Sequence, residues 1–207
     1  MASPQESSSN TSASTQTQSE TQIVVVSGTD RPGSRSLDVS SYLVDRFREQ
    51  PGTQATLLDL NRYPLADVAG GPYGSNRPES VDRFNAPFMQ ADGIVFVVPE
   101  YNGSFPGILK LFIDYLPFPQ ALKDRPVAFI GEASGYFGGL RAVEQLQMVA
   151  AYRYAKLYPE RVFIPAVHKE FDRRTGLSDA FRQSLLASLI EGFARHVRRE
   201  AALVTRV

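Results

Sequence analysis

Residues 93–116 read GIVFVVPEYNGSFPGILKLFIDYL and combine three local patterns in one stretch. The apolar run at 94–98 is typical of a buried strand, the polar segment at 99–106 of a loop, and the apolar residues from 107 onward of a helix. Open α/β sheets bind their ligands at the carboxyl ends of the strands. The stretch therefore predicts an α/β fold with a ligand-binding loop directly after residue 98.

The rest of the chain repeats this alternation of strands and helices. The predicted strands cover residues 23–27, 54–60, 93–98, 126–131 and 161–166. The predicted helices cover residues 34–48, 79–90, 107–116, 139–151 and the segment from 178 onward. The apolar face expected for the last helix comprises Phe181, Leu185, Leu189, Ile190, Phe193 and Val197. Five strands alternating with helices predict a doubly wound parallel sheet, and a strand order of 2-1-3-4-5 brings the loops after strands one, three and four to one crevice.

The composition limits the classes of function that the chain can perform. Its 207 residues include 22 basic and 22 acidic side chains and no cysteine. No overall charge attracts nucleic acid, and disulfides, cysteine metal sites and thiol nucleophiles are excluded. No apolar run approaches the roughly 20 residues that cross a bilayer. Residues 1–22 are almost all small and polar, so we expect a disordered tail, without the pattern of a signal or transit peptide, before a domain at 23–207 of a soluble cytoplasmic protein.

The first loop, residues 27–36, reads SGTDRPGSRS and joins the first strand to the first helix. Its hydroxyl groups at Thr29, Ser34 and Ser36 and the free N–H groups of the helix start suit a phosphate. Arg31 could add a charge-assisted contact. The loop matches neither a Walker motif nor a Gly-x-Gly-x-x-Gly motif. An ordinary turn with Ser or Thr capping the helix explains the same residues, so both alternatives remain open.

Two further loops have a similar ambiguity. In the loop at 99–107, backbone groups could line the edge of a planar ring with Tyr101 packed near it, or Pro99 and Gly103 could simply end the strand. The loop at 131–139 is rich in glycine, which permits close approach of a ligand but is equally typical of a flexible turn. Convergence of all three loops favours the ligand-binding interpretation.

These loops resemble those of the NAD(P)H-dependent FMN reductase family of the flavodoxin-like superfamily, from about residue 23 to the last helix. The most specific match is PEYNGS at 99–104, followed by PGxLK at 106–110 and by Ile113-Asp114. The family's first loop, Gly-Ser-x-Arg-x-x-Ser-x-Asn, is matched at 28–36 with Ser36 in place of Asn. The third loop is one residue shorter than the family's Ser-x-Gly-x-x-Gly-Gly.

The resemblance implies a flavodoxin-like three-layer sandwich with a five-stranded parallel sheet of order 2-1-3-4-5 and helices on both faces. It implies that Thr29, Arg31, Ser34 and Ser36 bind the FMN phosphate, while residues 100–103 and the loop around Ser134 surround the isoalloxazine ring. The residues expected to bind the cofactor are Thr29, Arg31, Ser34, Arg35, Ser36, Pro99, Glu100, Tyr101, Asn102, Gly103, Ser134 and Gly135. No side chain is assigned a catalytic role, because the flavin carries the reaction.

We therefore expect hydride transfer from NADPH or NADH through FMN to a small acceptor, which could be a flavin, a quinone, an azo compound or a metal oxyanion. A flavodoxin-like electron carrier and a non-catalytic flavin-binding protein are the alternatives. The resemblance also implies a homodimer or homotetramer through the apolar residues 107–119. Neither nucleic acid nor a membrane is expected as a partner.

Several other polar side chains are not expected to take part in chemistry. We expect His168 and His196 to be solvated, and Asp59 and Asp114 to cap helices or pair with cations. No residue spacing indicates a metal site.

Overall fold

The fold is built on a central sheet of five parallel strands in the order β2-β1-β3-β4-β5, and the computed structural model describes residues 20–69, 71 and 74–204. The strands are β1 (Thr21–Ser27), β2 (Thr53–Asp59), β3 (Gly93–Pro99), β4 (Pro126–Glu132) and β5 (Lys156–Ile164). All four neighbouring pairs are parallel. The predicted fold and strand order are confirmed.

The helices cover both faces of this sheet. They are α1 (Arg35–Arg48), α2 (Leu65–Val68), α3 (Glu79–Gln90), α4 (Gly107–Asp114), α5 (Leu140–Tyr152), α6 (Val167–Glu170) and α7 (Ala180–Val204). Short 3-10 turns occur at Leu60–Arg62 and Gly74–Asn76, and a two-stranded antiparallel hairpin pairs β6 (Phe171–Asp172) with β7 (Gly176–Leu177). Within the described ranges, no helix combines the length and apolar character needed to cross a membrane.

Alternation of side chains along the strands creates two separate cores. In β1, Val24 and Val26 pack into the core that includes α3, α4 and α5, whereas Ile23 and Val25 pack into the core that includes α1 and α7. Successive residues of a strand point to opposite faces, so a continuous apolar run is buried on both sides. This is the physical reason why the central strands β3 and β4 carry no polar alternation.

The bounds of two strands differ from those predicted by two residues or more, and those of the other three by a single residue. β1 begins at Thr21, which pairs with Thr53, so the first strand starts two residues earlier than expected and residues 21–22 do not belong to the tail. The predicted disorder of the remaining tail falls on residues 1–19, which lie outside the described residues. β5 begins at Lys156 and ends at Ile164 instead of covering 161–166. The first half of β5 was not predicted because it is polar and contains Pro159. Both are tolerated there, since β5 is an edge strand and its pairing with β4 has a register shift.

The predicted apolar face of α7 was partly wrong. Phe181 and Leu185 are exposed, at 70% and 43%. The buried stripe of the helix instead comprises Leu186, Leu189, Ile190, Phe193, Ala194 and Val197. Phe181 and Leu185 instead border a depression beside residues 161–163 of the edge strand β5, so this side of the helix faces the open edge of the sheet.

Candidate functional site

A crevice lies at the carboxyl edge of the sheet, where the loops after β1, β3 and β4 meet. β1 and β3 are neighbours from which the chain proceeds in opposite directions across the sheet, and ligands bind at such switch points. The cavity has a volume of about 320 Å³. Its lining comprises Arg31, Pro32, Gly33, Ser34, Arg35, Pro99, Glu100, Tyr101, Glu132, Ala133, Ser134, Val167 and His168.

The predicted cofactor-binding residues divide into two groups. Those that line the crevice are Arg31, Ser34, Arg35, Pro99, Glu100, Tyr101 and Ser134. The others, which do not form its wall, are Thr29, Ser36, Asn102, Gly103 and Gly135. Thr29 and Ser36 are fully buried behind the wall. The hydroxyl of Thr29 bonds to that of Tyr101 and the hydroxyl of Ser36 bonds to Glu132, so both connect to residues that line the crevice.

The first loop ends in a capped helix. The Oγ of Ser34 accepts a hydrogen bond from the N–H of Leu37 at 3.1 Å, so the capping interpretation of this serine is confirmed. The hydroxyl oxygen of Thr29 lies 2.9 Å from that of Tyr101 and accepts a bond from the Arg31 N–H at 3.3 Å. Arg31 is thereby held beside the start of a 14-residue helix, where free N–H groups and the helix dipole favour an anion.

The second loop is a tight hairpin. Asn102 and Gly103 both have positive φ, at 52° and 78°, and the backbones of Tyr101 and Ser104 pair across them. An Asn-Gly pair suits two consecutive left-handed residues because it carries little steric penalty there. Gln145 of α5 fixes the hairpin by donating to the carbonyl of Gly103 at 3.0 Å and accepting from the Ser104 hydroxyl at 2.6 Å.

The third loop folds back onto the end of β4. Gly139 has a φ of 87°, and a Cβ at this position would lie 2.6 Å from the backbone nitrogen of Glu132. Only glycine can make this approach. The loop presents an aromatic pair to solvent: Tyr136 is 88% and Phe137 54% exposed, with ring centroids 5.8 Å apart.

An arginine links the second and third loops. Nη1 of Arg141 donates to Oε1 of Glu100 at 3.1 Å, and its guanidinium carbon lies 4.9 Å from the centroid of the Phe137 ring. The second carboxylate oxygen of Glu100 is buried and has no hydrogen-bond partner among the described residues. Buried acceptors normally have a donor, so this oxygen is an exception in the wall of the crevice.

Glu132, at the end of β4, was missed by sequence reasoning. Its Oε1 accepts a hydrogen bond from the Ser36 hydroxyl at 2.6 Å, and the residue is only 5% exposed. Burial raises the pKa of the Glu132 carboxyl, while the Ser36 bond and the charges of Arg31 and Arg35 act in the opposite direction. A single acidic residue at the end of an apolar strand does not indicate in the sequence that it bonds to Ser36.

The remaining polar predictions have mixed outcomes. His168 is exposed as expected, but it lies at the rim of the crevice because the Val167 N–H donates to the carbonyl of Ala133. His196 is half-buried against the Tyr158 ring rather than fully solvated. Asp59 caps the 3-10 turn that follows β2, and Asp114 pairs with Lys110 at 2.7 Å, as predicted. In the described part of the chain, no three His, Asp or Glu side chains are placed to hold a metal ion.

Comparison with known proteins identifies the family. The sequence model of the family described as NADPH-dependent FMN reductase matches residues 21–169. The chain belongs to this family. It is accordingly an oxidoreductase that works with FMN and NAD(P)H, which confirms the function predicted from the three loops.

Individual relatives agree with this assignment. An NADPH azoreductase from a Bacillus species is 30% identical over 146 residues, which cover 70% of this chain and 78% of the relative. A quinone reductase from Escherichia coli is 31% identical over 163 residues, covering 75% and 83%. Among solved structures, the flavoenzyme NAD(P)H:(acceptor) oxidoreductase FerB from Paracoccus denitrificans has a TM-score of 0.68 at 22% identity, over 87% of this chain and 98% of that one, and shows the shared fold.

The crevice has the chemical groups that FMN requires. Two arginines and a capped helix start lie at one end, where a phosphate can bind, and the second-loop hairpin and third loop border the rest. One acceptor of this wall, the second carboxylate oxygen of Glu100, is buried without a donor among the described residues. Two carboxyl groups also line this wall: Glu100 pairs with Arg141, whereas Glu132 bonds to Ser36 and is the discordant group in an anion site.

Proposed function

We propose that this crevice holds FMN and that the protein passes reducing equivalents from NADPH or NADH to planar conjugated acceptors such as quinones and azo compounds. The observation that carries the proposal is the meeting of three strand-end loops around Arg31, Arg35 and the start of α1. Relatives named as azoreductase and quinone reductase support these acceptor classes. The flavin supplies the hydride chemistry when bound.

The residues of the first loop have the task of holding the phosphate. Arg31 and Arg35 provide positive charge, and the backbone N–H groups at the start of α1 provide directed donors. Arg35 also pairs with Asp38 at 3.1 Å, which keeps its guanidinium near the helix start. Thr29 positions Tyr101 through their shared hydrogen bond, so the first and second loops act as one unit.

The second and third loops have the task of bordering the ring system. Pro99, Glu100 and Tyr101 form one side, and the Asn102-Gly103 turn keeps their backbone groups in fixed positions because Gln145 holds the turn. Ser134 also lies in the wall, and Gly135 follows it without a side chain that could close the opening. Rigid walls favour a planar ligand because little conformational entropy is lost on binding.

The exposed pair Tyr136 and Phe137 is the proposed stacking surface for the acceptor. Aromatic rings pack with conjugated ring systems in offset or edge-to-face geometry. The pair follows Ser134 closely in sequence, and Phe137 is connected to Glu100 through Arg141, so we place the pair near the mouth of the crevice. An acceptor that stacks there lies next to the proposed flavin.

We also propose that two copies associate through the face formed by α4, the residues after it, and α5. Phe118, Met148, Tyr152 and Tyr154 are exposed on this face, with Phe118 stacked on Tyr152 at 6.0 Å between ring centroids. An apolar depression of about 520 Å³ between α4 and α5 continues it. Clustered exposed aromatic residues are typical of protein interfaces. A homodimer uses this face once, and a homotetramer needs a second interface.

We also propose that the protein is located in the cytoplasm. The need for a reduced nicotinamide co-substrate and the absence of cysteine from the sequence support it. Fractionation of cells that produce the protein tests it directly: recovery in the periplasmic or membrane fraction would contradict it.

The acceptor class is tested by comparing rates of NADPH oxidation with a benzoquinone, an azo dye or no added acceptor, in the presence of excess FMN. We expect both conjugated acceptors to raise the rate and to be reduced in proportion to the NADPH consumed. A Tyr136→Ala, Phe137→Ala double variant should raise the KM for both acceptors while leaving flavin binding intact. Equal rates with and without acceptor would contradict the proposed acceptor class.

A further inference from the structure

The crevice contains a carboxylate where an anion is expected to bind. Glu132 and Ser36 are 5% and 0% exposed, and the Ser36 hydroxyl donates to Glu132 at 2.6 Å. A serine hydroxyl has a single proton to donate. While this bond exists, the hydroxyl cannot donate to a ligand phosphate.

We propose that Glu132 serves as an internal counter-anion, which engages Ser36 and offsets the charges of the first-loop arginines. The site therefore selects only weakly for the flavin phosphate and accepts FMN and riboflavin as exchangeable ligands. This inference rests on the proposed function, because it concerns the same crevice. The proposed ligands of the crevice are flavins with or without a terminal phosphate.

The charge distribution of the crevice supports this inference. Its cations are Arg31 and Arg35, together with Arg141 at its edge, but Arg35 also pairs with Asp38 and Arg141 with Glu100. Glu132 lies near enough to Arg31 and Arg35 for their charges to act against the burial-driven rise in the pKa of its carboxyl. Few positive charges therefore remain uncompensated for a phosphate dianion, and the buried carboxylate repels it at short range.

The alternative arrangement is costly for the folded protein. If Ser36 turned its hydroxyl toward a phosphate, the Glu132 carboxylate would lose its hydrogen bond while buried. Buried charges without partners are strongly unfavourable. The energy gained from a new phosphate contact is thus offset by the loss at Glu132. A flavin that lacks the phosphate can bind while the hydrogen bond between Ser36 and Glu132 remains.

The test is a fluorescence-quenching titration of FMN and of riboflavin against the native protein and Glu132→Gln. The chain has no tryptophan, so the flavin signal is free of that overlap. At about pH 8, we expect Glu132→Gln to tighten FMN binding by about tenfold and to change riboflavin binding by less than about twofold. Glu191→Gln, an equal charge change on the exposed side of α7, is the matched control and should alter neither affinity.

The outcomes are distinguishable. Unchanged or weaker FMN binding to a folded Glu132→Gln, or equal tightening of both flavins, would overturn the inference while leaving the proposed function in place. If Glu132→Gln fails to fold, as judged by circular dichroism, Glu132→Ala provides the same charge removal with the same expected result. Failure of the native protein to bind either flavin would overturn the proposed function and this inference with it.

Discussion

Single residues of the first loop have a structural and a ligand-binding task at once. Ser34 illustrates this, since its side chain caps α1 and its position also lines the crevice. The sequence alone left capping and phosphate binding as alternatives, and the structure makes them compatible. A serine that caps a helix lies at the helix start, which is also where an anion binds.

Replacement of Arg31 tests the phosphate end of the site. Arg31→Ala removes a cation from the crevice wall, and we expect FMN to bind about tenfold more weakly with a smaller effect on riboflavin, because only FMN carries the phosphate. Thermal unfolding should change little. Arg62→Ala, an exposed arginine outside the crevice, is the control. Native FMN affinity in Arg31→Ala would show that the phosphate lies elsewhere.

Replacement of Glu132 also predicts a pH-dependent change in stability. Burial raises the pKa of this carboxyl, so the folded protein holds its proton more tightly than the unfolded chain does. The contribution of this group to stability is therefore greatest below the unfolded pKa and is lost as the pH rises through the folded pKa.

Glu132→Gln should accordingly raise the melting temperature of the flavin-free protein more at about pH 8 than at about pH 4, below the unfolded pKa. Thermal melts of both proteins at the two pH values measure this difference. An equal shift at both values would mean that Glu132 has the same affinity for protons in the folded and unfolded states.

At the scale of elements, strand-to-helix connections were predictable and side-chain partnerships between distant elements were not. The strands β1, β3 and β4 each appeared as apolar runs, and the loops that follow them were identified correctly. Gln145, which fixes the second loop, lies 41 residues from Ser104 on a helix whose pattern shows only amphipathicity. Local sequence carries no record of such a contact, because it depends on how α5 packs against the sheet.

The close packing of the third loop against β4 requires glycine at position 139. Gly139→Ala places a methyl group 2.6 Å from the Glu132 nitrogen at a φ of 87°, and we expect a loss of at least about 2 kcal/mol in the free energy of unfolding. Gly107→Ala is the control, since a Cβ there meets nothing within 4 Å. Chemical denaturation measures both. A native unfolding midpoint for Gly139→Ala would refute the close approach.

At the scale of the whole molecule, the arrangement of layers was predictable because apolar runs buried on both faces leave few other topologies. The exposure of Phe181 and Leu185 on α7 was not predictable, because an apolar period marks one side of a helix without showing which of its residues face the open edge of the sheet. Phe181 and Leu185 are the residues where that distinction matters. The apolar period alone could not separate them from Leu189, which is fully buried.

The aromatic face beside α4 and α5 predicts that two copies of the chain associate. Tyr152→Glu introduces a charge into the aromatic face described above, where Tyr152 is 75% exposed and stacked on Phe118. We expect light scattering to give twice the mass of one chain for the native protein and the mass of one chain for the variant. Leu203→Glu, an exposed site near the end of α7, should retain the native mass. A native protein with the mass of a single chain at micromolar concentration would contradict the proposed interface.

The central claim is that the crevice presents FMN to a reduced nicotinamide. The most direct measurement is the visible spectrum of stoichiometric protein and FMN under anaerobic conditions before and after addition of NADPH, with NADH in a parallel sample. We predict rapid loss of the oxidised flavin band that depends on the protein and is slowed in Arg31→Ala at subsaturating FMN. Protein-bound flavin that keeps its oxidised spectrum with both nucleotides would contradict the account.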